Sequence, residues 1–168
     1  VAGAVYDVPT AFNIFDKYVD IGGNLFDTAR VYSDWIPGQV GRSETVIGQW
    51  IKNRGHHDDI IICTKGGAPD QTSAEGMKIH RMKREDMRYD IELSLKTLGI
   101  DCIDMYFYHR DDGQPVEELI DIMETFRKEG KIKYYGCSNW KTDRIKEAAE
   151  YCSKNNIQGF SANQPMFN

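Results

Sequence analysis

From residue 24 onward, short apolar runs alternate with longer stretches in which apolar residues recur every three or four positions. Short apolar runs suit buried strands, and the wider spacing suits helices with one buried face, so the alternation predicts parallel β/α units. Each run leads into a polar or glycine-containing segment where a loop is expected to begin. The five predicted strands are Asn24–Asp27, Ile60–Thr64, Cys102–Tyr108, Ile132–Cys137 and Gly159–Ala162.

The predicted helices lie between these strands and before the first one. The clearest begins at Pro115 and ends at Gly130, because proline suits a first helical position and glycine suits the residue after a last turn. Ser43 is a candidate N-cap for a helix that contains Trp50. The other predicted helices are Thr10–Val19, Arg84–Leu98 and Ile145–Cys152.

Two architectures fit this order of elements. Separations of roughly 25 to 40 residues between strands suit βαβ units, whose right-handed crossovers place every strand's carboxyl end at one edge. The sheet is either open and doubly wound or part of a (β/α)8 barrel, which when complete needs about 250 residues. No strand is followed by a glycine-rich dinucleotide fingerprint, and Gly66-Gly67 is too short to serve as one. Residues 1–168 are interpreted as a single domain.

Composition argues against several classes of function. A chain of 168 residues with 40% hydrophobic residues can bury a core, and a net charge of -5 provides no basic field for nucleic acid. No apolar run approaches the ~20 residues of a bilayer span and no signal pattern is visible, so a cytoplasmic protein is expected. The cysteines show no zinc or redox spacing and are predicted to be reduced packing residues: Cys63, Cys102, Cys137 and Cys152.

Three ionisable residues stand at the ends of three successive predicted strands: Asp27, Lys65 and His109. Such strand ends meet at the ligand-binding edge of a parallel α/β protein, and Tyr32 lies on the loop that leaves the first of them. A lysine ammonium beside a tyrosine favours the ionised phenolate, and Asp27 can hold that lysine in place. A nearby histidine can bond the substrate oxygen, so the group suits proton delivery to a carbonyl during reduction. One histidine and one aspartate make a poor metal site, and none is predicted.

Several motifs in the same order resemble those of the aldo-keto reductases. The first comprises Gly23 to Ala29 with Tyr32, followed by Gly41-Arg42-Ser43-Glu44 and Ile47-Gly48. The second is Leu95 to His109, and the third is Gly130 to Trp140, which contains Gly-Cys-Ser-Asn and resembles the family's loop after the fifth barrel strand. The resemblance extends from about residue 21 to residue 168 and implies an oxidoreductase with a (β/α)8 barrel.

The resemblance also implies roles for individual residues. Asp27, Tyr32, Lys65 and His109 match the family's supporting carboxylate, general acid, activating lysine and substrate-orienting histidine. The residues that match those bonding the nicotinamide carboxamide are Ser138, Asn139 and Gln164. The implied reaction is hydride transfer from NADPH, or from NADH, to a small aldehyde or ketone.

By the same resemblance the chain is expected to lack the family's first strand and its last ones, leaving five strands of eight. The aromatic residue that stacks on the nicotinamide and the basic loop that binds the adenosine 2′-phosphate would belong to the absent part. The sequence therefore leaves open the choice between NADPH and NADH, the substrate and the oligomeric state.

Other interpretations of the same residues stay open. Trp35 and Trp140 lie on predicted loops at the active edge and are expected to line a substrate pocket. Ser138 and Asn139 could instead cap the helix that begins near Thr142. Two rival functions remain: a non-catalytic, cofactor-binding regulatory subunit of the same family, and a lyase that forms a Schiff base through Lys65.

Overall fold

The computed structural model describes residues 6–55, 57–71 and 73–166. Within them, five parallel strands form one sheet in which neighbours in space are neighbours in the chain. The strands are β1 (Leu25–Asp27), β2 (Ile61–Gly66), β3 (Ile103–Tyr108), β4 (Ile132–Ser138) and β5 (Ala162–Gln164). A doubly wound sheet reverses its strand order at a switch point. The order observed here never reverses, and this is the strand order of a (β/α)8 barrel.

The helices precede β1 or connect successive strands. They are α1 (Val8–Asp20), α2 (Arg42–Arg54), α3 (Arg84–Leu98), α4 (Val116–Lys128) and α5 (Thr142–Asn155), and a short 3-10 helix covers Gly76–Lys78. The predicted span of α3 is confirmed, and those of α1, α4 and α5 are confirmed to within a few residues. No helix in the described part of the chain is both long and apolar enough to cross a membrane.

The hydrophobic core lies between the helices and one face of the sheet. Phe26 of β1 contacts Phe15 of α1 and Trp50 of α2, with ring centroids 5.4 Å and 4.9 Å away. The opposite face is more open, and Leu25 and Ile61, which pair across β1 and β2, are 48% and 38% exposed. Because side chains alternate between the faces of a strand, the residues at even spacing from these two, such as Asp27, point toward the open face.

Two local predictions are wrong. β5 begins at Ala162 and not at Gly159, because Gly159 adopts a φ of +75°, in the left-handed region that a strand residue does not occupy. Ser43 is not the N-cap of α2; the cap is Gly41, with a φ of +62°, and the Ser43 hydroxyl bonds Thr28 Oγ1 at 2.8 Å instead.

Candidate active site

Asp27 and Lys65 meet at the carboxyl ends of β1 and β2. Asp27 is the last residue of β1 and pairs with Cys63, two residues before Lys65. Lys65 Nζ donates to both carboxylate oxygens of Asp27 at 2.8 Å and to the Thr28 carbonyl, also at 2.8 Å. Lys65 is only 1% exposed, so these three oxygens replace the water that an ammonium would otherwise require.

Tyr32 reaches the same lysine from the loop after β1. The loop is held to β2 by backbone bonds from Thr28 N to Cys63 O at 2.9 Å and from Arg30 N to Lys65 O at 3.2 Å. Lys65 Nζ lies 3.4 Å from the Tyr32 hydroxyl and 5.0 Å from the centre of its ring. The phenol oxygen is therefore the fourth oxygen around the ammonium, and the one at the longest distance.

His109 follows β3 and packs its ring against Tyr32. Its backbone N–H donates to Gly66 O at 2.9 Å, and the two ring centroids are 5.7 Å apart with an edge-to-face angle of 79°. Burial, with smaller contributions from the nearby Lys65 and Arg110 charges, lowers the pKa of His109 to about 4. The imidazole is therefore neutral near pH 7, and its buried Nδ1 has no hydrogen-bond partner among the described residues.

The three residues matched to nicotinamide binding lie together at the carboxyl ends of β4 and β5. The Ser138 hydroxyl and the Asn139 backbone N–H both donate to the Gln164 carbonyl at 3.1 Å, and Asn139 Nδ2 donates to Ser138 Oγ at 3.1 Å. Asn139 has a φ of +60°, a backbone conformation that asparagine tolerates better than most residues. Neither Ser138 nor Asn139 caps α5, whose N-cap is Lys141.

His109 and Asn139 both line an open cavity of about 830 Å³ at this edge of the sheet. The histidine beside Tyr32 and the asparagine of the β4 end thus face a common space. Its wall also carries charged residues of both signs, among them Arg110, Lys141 and Asp143. A small molecule in this cavity would contact one residue of each matched group, His109 and Asn139.

The structure separates the two tryptophans that were expected to line a pocket. Trp35 is 50% exposed in the segment between β1 and α2. Trp140 is 6% exposed and belongs to the hydrophobic core, stacked on Tyr108 at 6.0 Å and edge-on to Phe160 at 5.0 Å. The expectation that Trp140 lines a pocket is therefore corrected, because helix α5 and the segment before β5 cover its ring.

Two buried carboxylates, Glu44 and Asp90, lie behind the site, and no role was predicted for either from the sequence. Glu44 accepts a bond from the Thr64 hydroxyl at 2.6 Å, and burial raises the pKa of Glu44. Asp90, on α3, is 0% exposed and accepts bonds from the Gly67 backbone and the Arg81 side chain. A signal was present for Asp90, which falls on the apolar stripe of its helix between Met87 and Ile91, where a carboxylate needs partners.

Among the described residues, no three or more histidine, cysteine, aspartate or glutamate side chains are grouped so that they could hold a metal ion. The four cysteines are free. Burial raises the pKa of Cys63 to about 11 and that of Cys137 to about 12. Both therefore carry neutral thiols, as expected of packing residues.

Comparison with known proteins shows which family this chain belongs to. The model of the aldo/keto reductase family matches residues 3–168. A Schizosaccharomyces pombe protein named as a voltage-gated potassium channel subunit beta is 32% identical over 168 residues, covering 97% of this chain and 46% of the relative.

Two other relatives are named as reductases. The Schizosaccharomyces pombe aldo-keto reductase yakc, whose name adds NADP(+), is 31% identical over 77% of this chain and 36% of its own length. The aldo-keto reductase str7 of Strobilurus tenacellus is 32% identical over 87% of this chain and 39% of its own length. The chain spans less than half the length of each of these three relatives. The chain belongs to the aldo/keto reductase family, and its five parallel strands are part of that family's (β/α)8 barrel.

Proposed function

We propose that this chain carries the catalytic site of a reductase that transfers hydride from a nicotinamide cofactor to an aldehyde or ketone. The observation that carries the proposal is the arrangement around Lys65, whose Nζ is held by Asp27 at 2.8 Å and lies 3.4 Å from the Tyr32 hydroxyl. A phenol next to a fixed ammonium can release its proton to a carbonyl oxygen, because the phenolate left behind is stabilised by the positive charge.

Each of the four residues has a separate task in this proposal. Asp27 holds Lys65, Lys65 stabilises the phenolate, and Tyr32 gives up its proton to the substrate oxygen. His109 is neutral because its pKa is about 4, so it can donate one N–H bond to that oxygen without adding a charge. A proton on the buried Nδ1 would have no acceptor in the described structure, which favours the tautomer with its proton on Nε2.

The cofactor is proposed to be NADPH, with NADH as the alternative, and when bound it supplies the hydride that reaches the carbonyl carbon. The residues present fit its carboxamide, which has one acceptor oxygen and two N–H donors. Ser138 and Asn139 already bond the Gln164 backbone and each other, which leaves Asn139 Oδ1 and the Gln164 side chain to bond a ligand. Ser138 would serve to orient Asn139.

The substrate is proposed to be a small carbonyl compound that enters the cavity lined by His109 and Asn139. Trp35, half exposed on the loop that follows Tyr32, is proposed to line its entrance. The proposed location of the protein is the cytoplasm, where reduced cysteines such as the four free ones here persist.

The names of relatives support a second candidate, a regulatory subunit that binds the cofactor and assembles with another protein. The Schizosaccharomyces pombe relative described above carries a channel-subunit name, as do relatives in Arabidopsis thaliana and Oryza sativa.

The contacts of Lys65 argue against the Schiff-base alternative. A Schiff base requires a neutral amine with a free lone pair, whereas Nζ here donates to the two oxygens of Asp27 and to the Thr28 carbonyl.

The test uses the protein in its full length and follows NADPH consumption with an aromatic aldehyde. Tyr32→Phe removes only the phenol oxygen and should lower kcat by about 100- to 10,000-fold, the usual contribution of a positioned general acid. NADPH binding, measured by fluorescence titration, should remain. Tyr89→Phe, at a tyrosine that is 60% exposed on α3, is the matched control and should behave as the parent.

Either of two results would decide against catalysis through Tyr32. If the parent binds NADPH but consumes none with any aldehyde tried, the regulatory candidate is favoured. If Tyr32→Phe turns over at the parent rate, the protein is a reductase whose proton donor is another group.

A further inference from the structure

Asp90 joins two loops that carry residues of the proposed site. Its carboxylate is completely buried on α3 and is contacted by nitrogen atoms from three places in the chain. Gly67 N donates to the carboxylate at 3.0 Å, and the two terminal nitrogens of Arg81 donate to it at 2.8 Å and 3.3 Å. Arg30 Nε lies 3.3 Å from the carboxylate and forms an ion pair with it, but the two do not form a hydrogen bond.

Each of these nitrogen atoms belongs to one of the two loops that follow Asp27 and Lys65. Arg30 lies between Asp27 and Tyr32 in the loop after β1, and Gly67 is two residues beyond Lys65 in the loop after β2. Arg81, at the far end of that second loop, also donates to the Ala68 carbonyl at 3.3 Å. One carboxylate therefore holds the Tyr32 loop and the Lys65 loop against the same helix.

The backbone after Lys65 is shaped to approach this helix closely. A side chain at Gly66 would meet the hydroxyl of the buried Tyr106, and its Cβ would lie 3.0 Å from the Asp90 Cβ. Gly67 has a φ of +74°, which turns its N–H toward the carboxylate. The backbone just beyond Lys65 is thus in direct contact with Asp90.

Of the contacts around Lys65 Nζ, the one with Tyr32 is the most sensitive to a shift of these loops. Asp27 and Thr28 bind Nζ at 2.8 Å and stand at or beside the end of β1, whereas Tyr32 is further along the loop and lies at 3.4 Å. Loss of the Asp90 charge would leave the Arg81 guanidinium, 17% exposed, without its buried partner, and would leave Arg30, 12% exposed, with Asp34 at 3.2 Å as its remaining carboxylate. The loop that carries Tyr32 would keep its backbone bonds to β2 but lose this side-chain anchor, so the Tyr32 hydroxyl, two residues beyond Arg30, would shift relative to Lys65 Nζ.

We propose that Asp90 is a positioning residue for the reduction, which sets the distance between the Tyr32 hydroxyl and Lys65 Nζ by holding their two loops to α3. The inference rests on the proposed function, since it gives the distance between these two groups a catalytic consequence. Asp90 touches neither of them and acts through Arg30 and Gly67.

The test compares Asp90→Asn with Glu92→Gln in the full-length protein. Glu92 stands two residues away on the same helix, is exposed, and pairs with Lys131 at 3.1 Å, away from both loops. Asp90→Asn should lower kcat by about 10- to 100-fold, as a misplacement of about 1 Å does, while the aldehyde KM and the NADPH dissociation constant stay within about threefold. Glu92→Gln should match the parent in all three.

Two further readouts separate positioning from a general loss of structure. If Asp90 acts through Tyr32, Asp90→Asn should change the residual rate of Tyr32→Phe by less than about twofold, because the affected contact is already gone. Hydrogen exchange of the Arg30 and Gly67 amides should speed up in Asp90→Asn and stay unchanged in Glu92→Gln. If Asp90→Asn does not fold, Arg81→Gln weakens the same group of contacts from the solvent side and should give a smaller loss of kcat in the same pattern.

A parent-like kcat in Asp90→Asn, or an equal loss in the Tyr32→Phe background, would overturn the proposal. Unchanged exchange at Arg30 and Gly67 would do the same. If the parent itself shows no turnover, the proposed function fails, and the exchange measurement still decides whether Asp90 holds the two loops.

Discussion

The buried imidazole of His109 should make the stability of this protein depend on pH in a predictable direction. Its pKa is lowered from the ordinary 6.5 to about 4 in the folded protein, so the unfolded chain binds the proton more readily between these values. Stability is therefore present above the unfolded pKa and is lost as pH falls through this window. Between about pH 8 and about pH 5, the free energy of unfolding should drop by roughly 2 kcal/mol on account of this group alone.

The perturbation that isolates this effect is His109→Gln, which removes the titrating group. Urea unfolding of the full-length protein, followed by circular dichroism at about pH 8 and about pH 5, gives the free energy of unfolding for parent and variant. Contributions from carboxylates such as Glu44 are shared by both proteins and cancel in the difference. The parent should lose roughly 2 kcal/mol more than the variant over this range.

The matched control is His57→Gln, which removes a histidine from the turn before β2, at the opposite edge of the sheet. If parent and His109→Gln lose equal stability, the imidazole is not held neutral by burial, and its proposed role as a neutral donor loses its basis. If the free energy of unfolding depends less on pH in His57→Gln by as much as it does in His109→Gln, the effect is not particular to the site.

The remaining predictions concern packing and thiol chemistry. Trp140→Ala should lower the free energy of unfolding by about 3 to 5 kcal/mol, since it leaves a cavity in the core, whereas Trp35→Ala should cost less than about 1 kcal/mol. Urea titration measures both, and equal losses would contradict the placement of Trp140. Because burial raises the pKa of Cys63 to about 11 and of Cys137 to about 12, iodoacetamide at about pH 8 should alkylate them at least about 100-fold more slowly than a free thiol. Mass spectrometry of native and urea-unfolded samples would show it, and rapid native modification of either would refute the assignment of buried, neutral thiols.

Strand ends could be predicted from sequence because their signals are local. An apolar run followed by Asp27, by Lys65 or by His109 predicts both a strand and the residue at its carboxyl end. Parallel connections then bring these carboxyl ends to one edge of the sheet. The match of Ser138, Asn139 and Gln164 to the family likewise brought together residues that the structure places in direct contact. Whether these residues bind a cofactor stays a prediction.

What the sequence could not provide depends on contacts between distant segments. Trp140 lies in the loop between β4 and α5, as predicted, yet its ring is buried because Phe160, twenty positions further along, covers it. The partners of Asp90 come from residues 30, 67 and 81, and no spacing rule connects these to a carboxylate on a helix. β5 was placed too early because an isolated glycine does not reveal the sign of its φ angle.

The consecutive order of the strands has a consequence for synthesis of the chain on the ribosome. Among the described residues, each strand pairs with the strand made just before it or just after it, so these four pairings can form one after another. Domains generally begin to fold from the N-terminal side as they emerge, and local pairing shortens the loops that must close. Asp27, Tyr32, Lys65 and His109 would come together as soon as β3 docks on β2, before the segment that holds Ser138 and Gln164 has emerged from the ribosome.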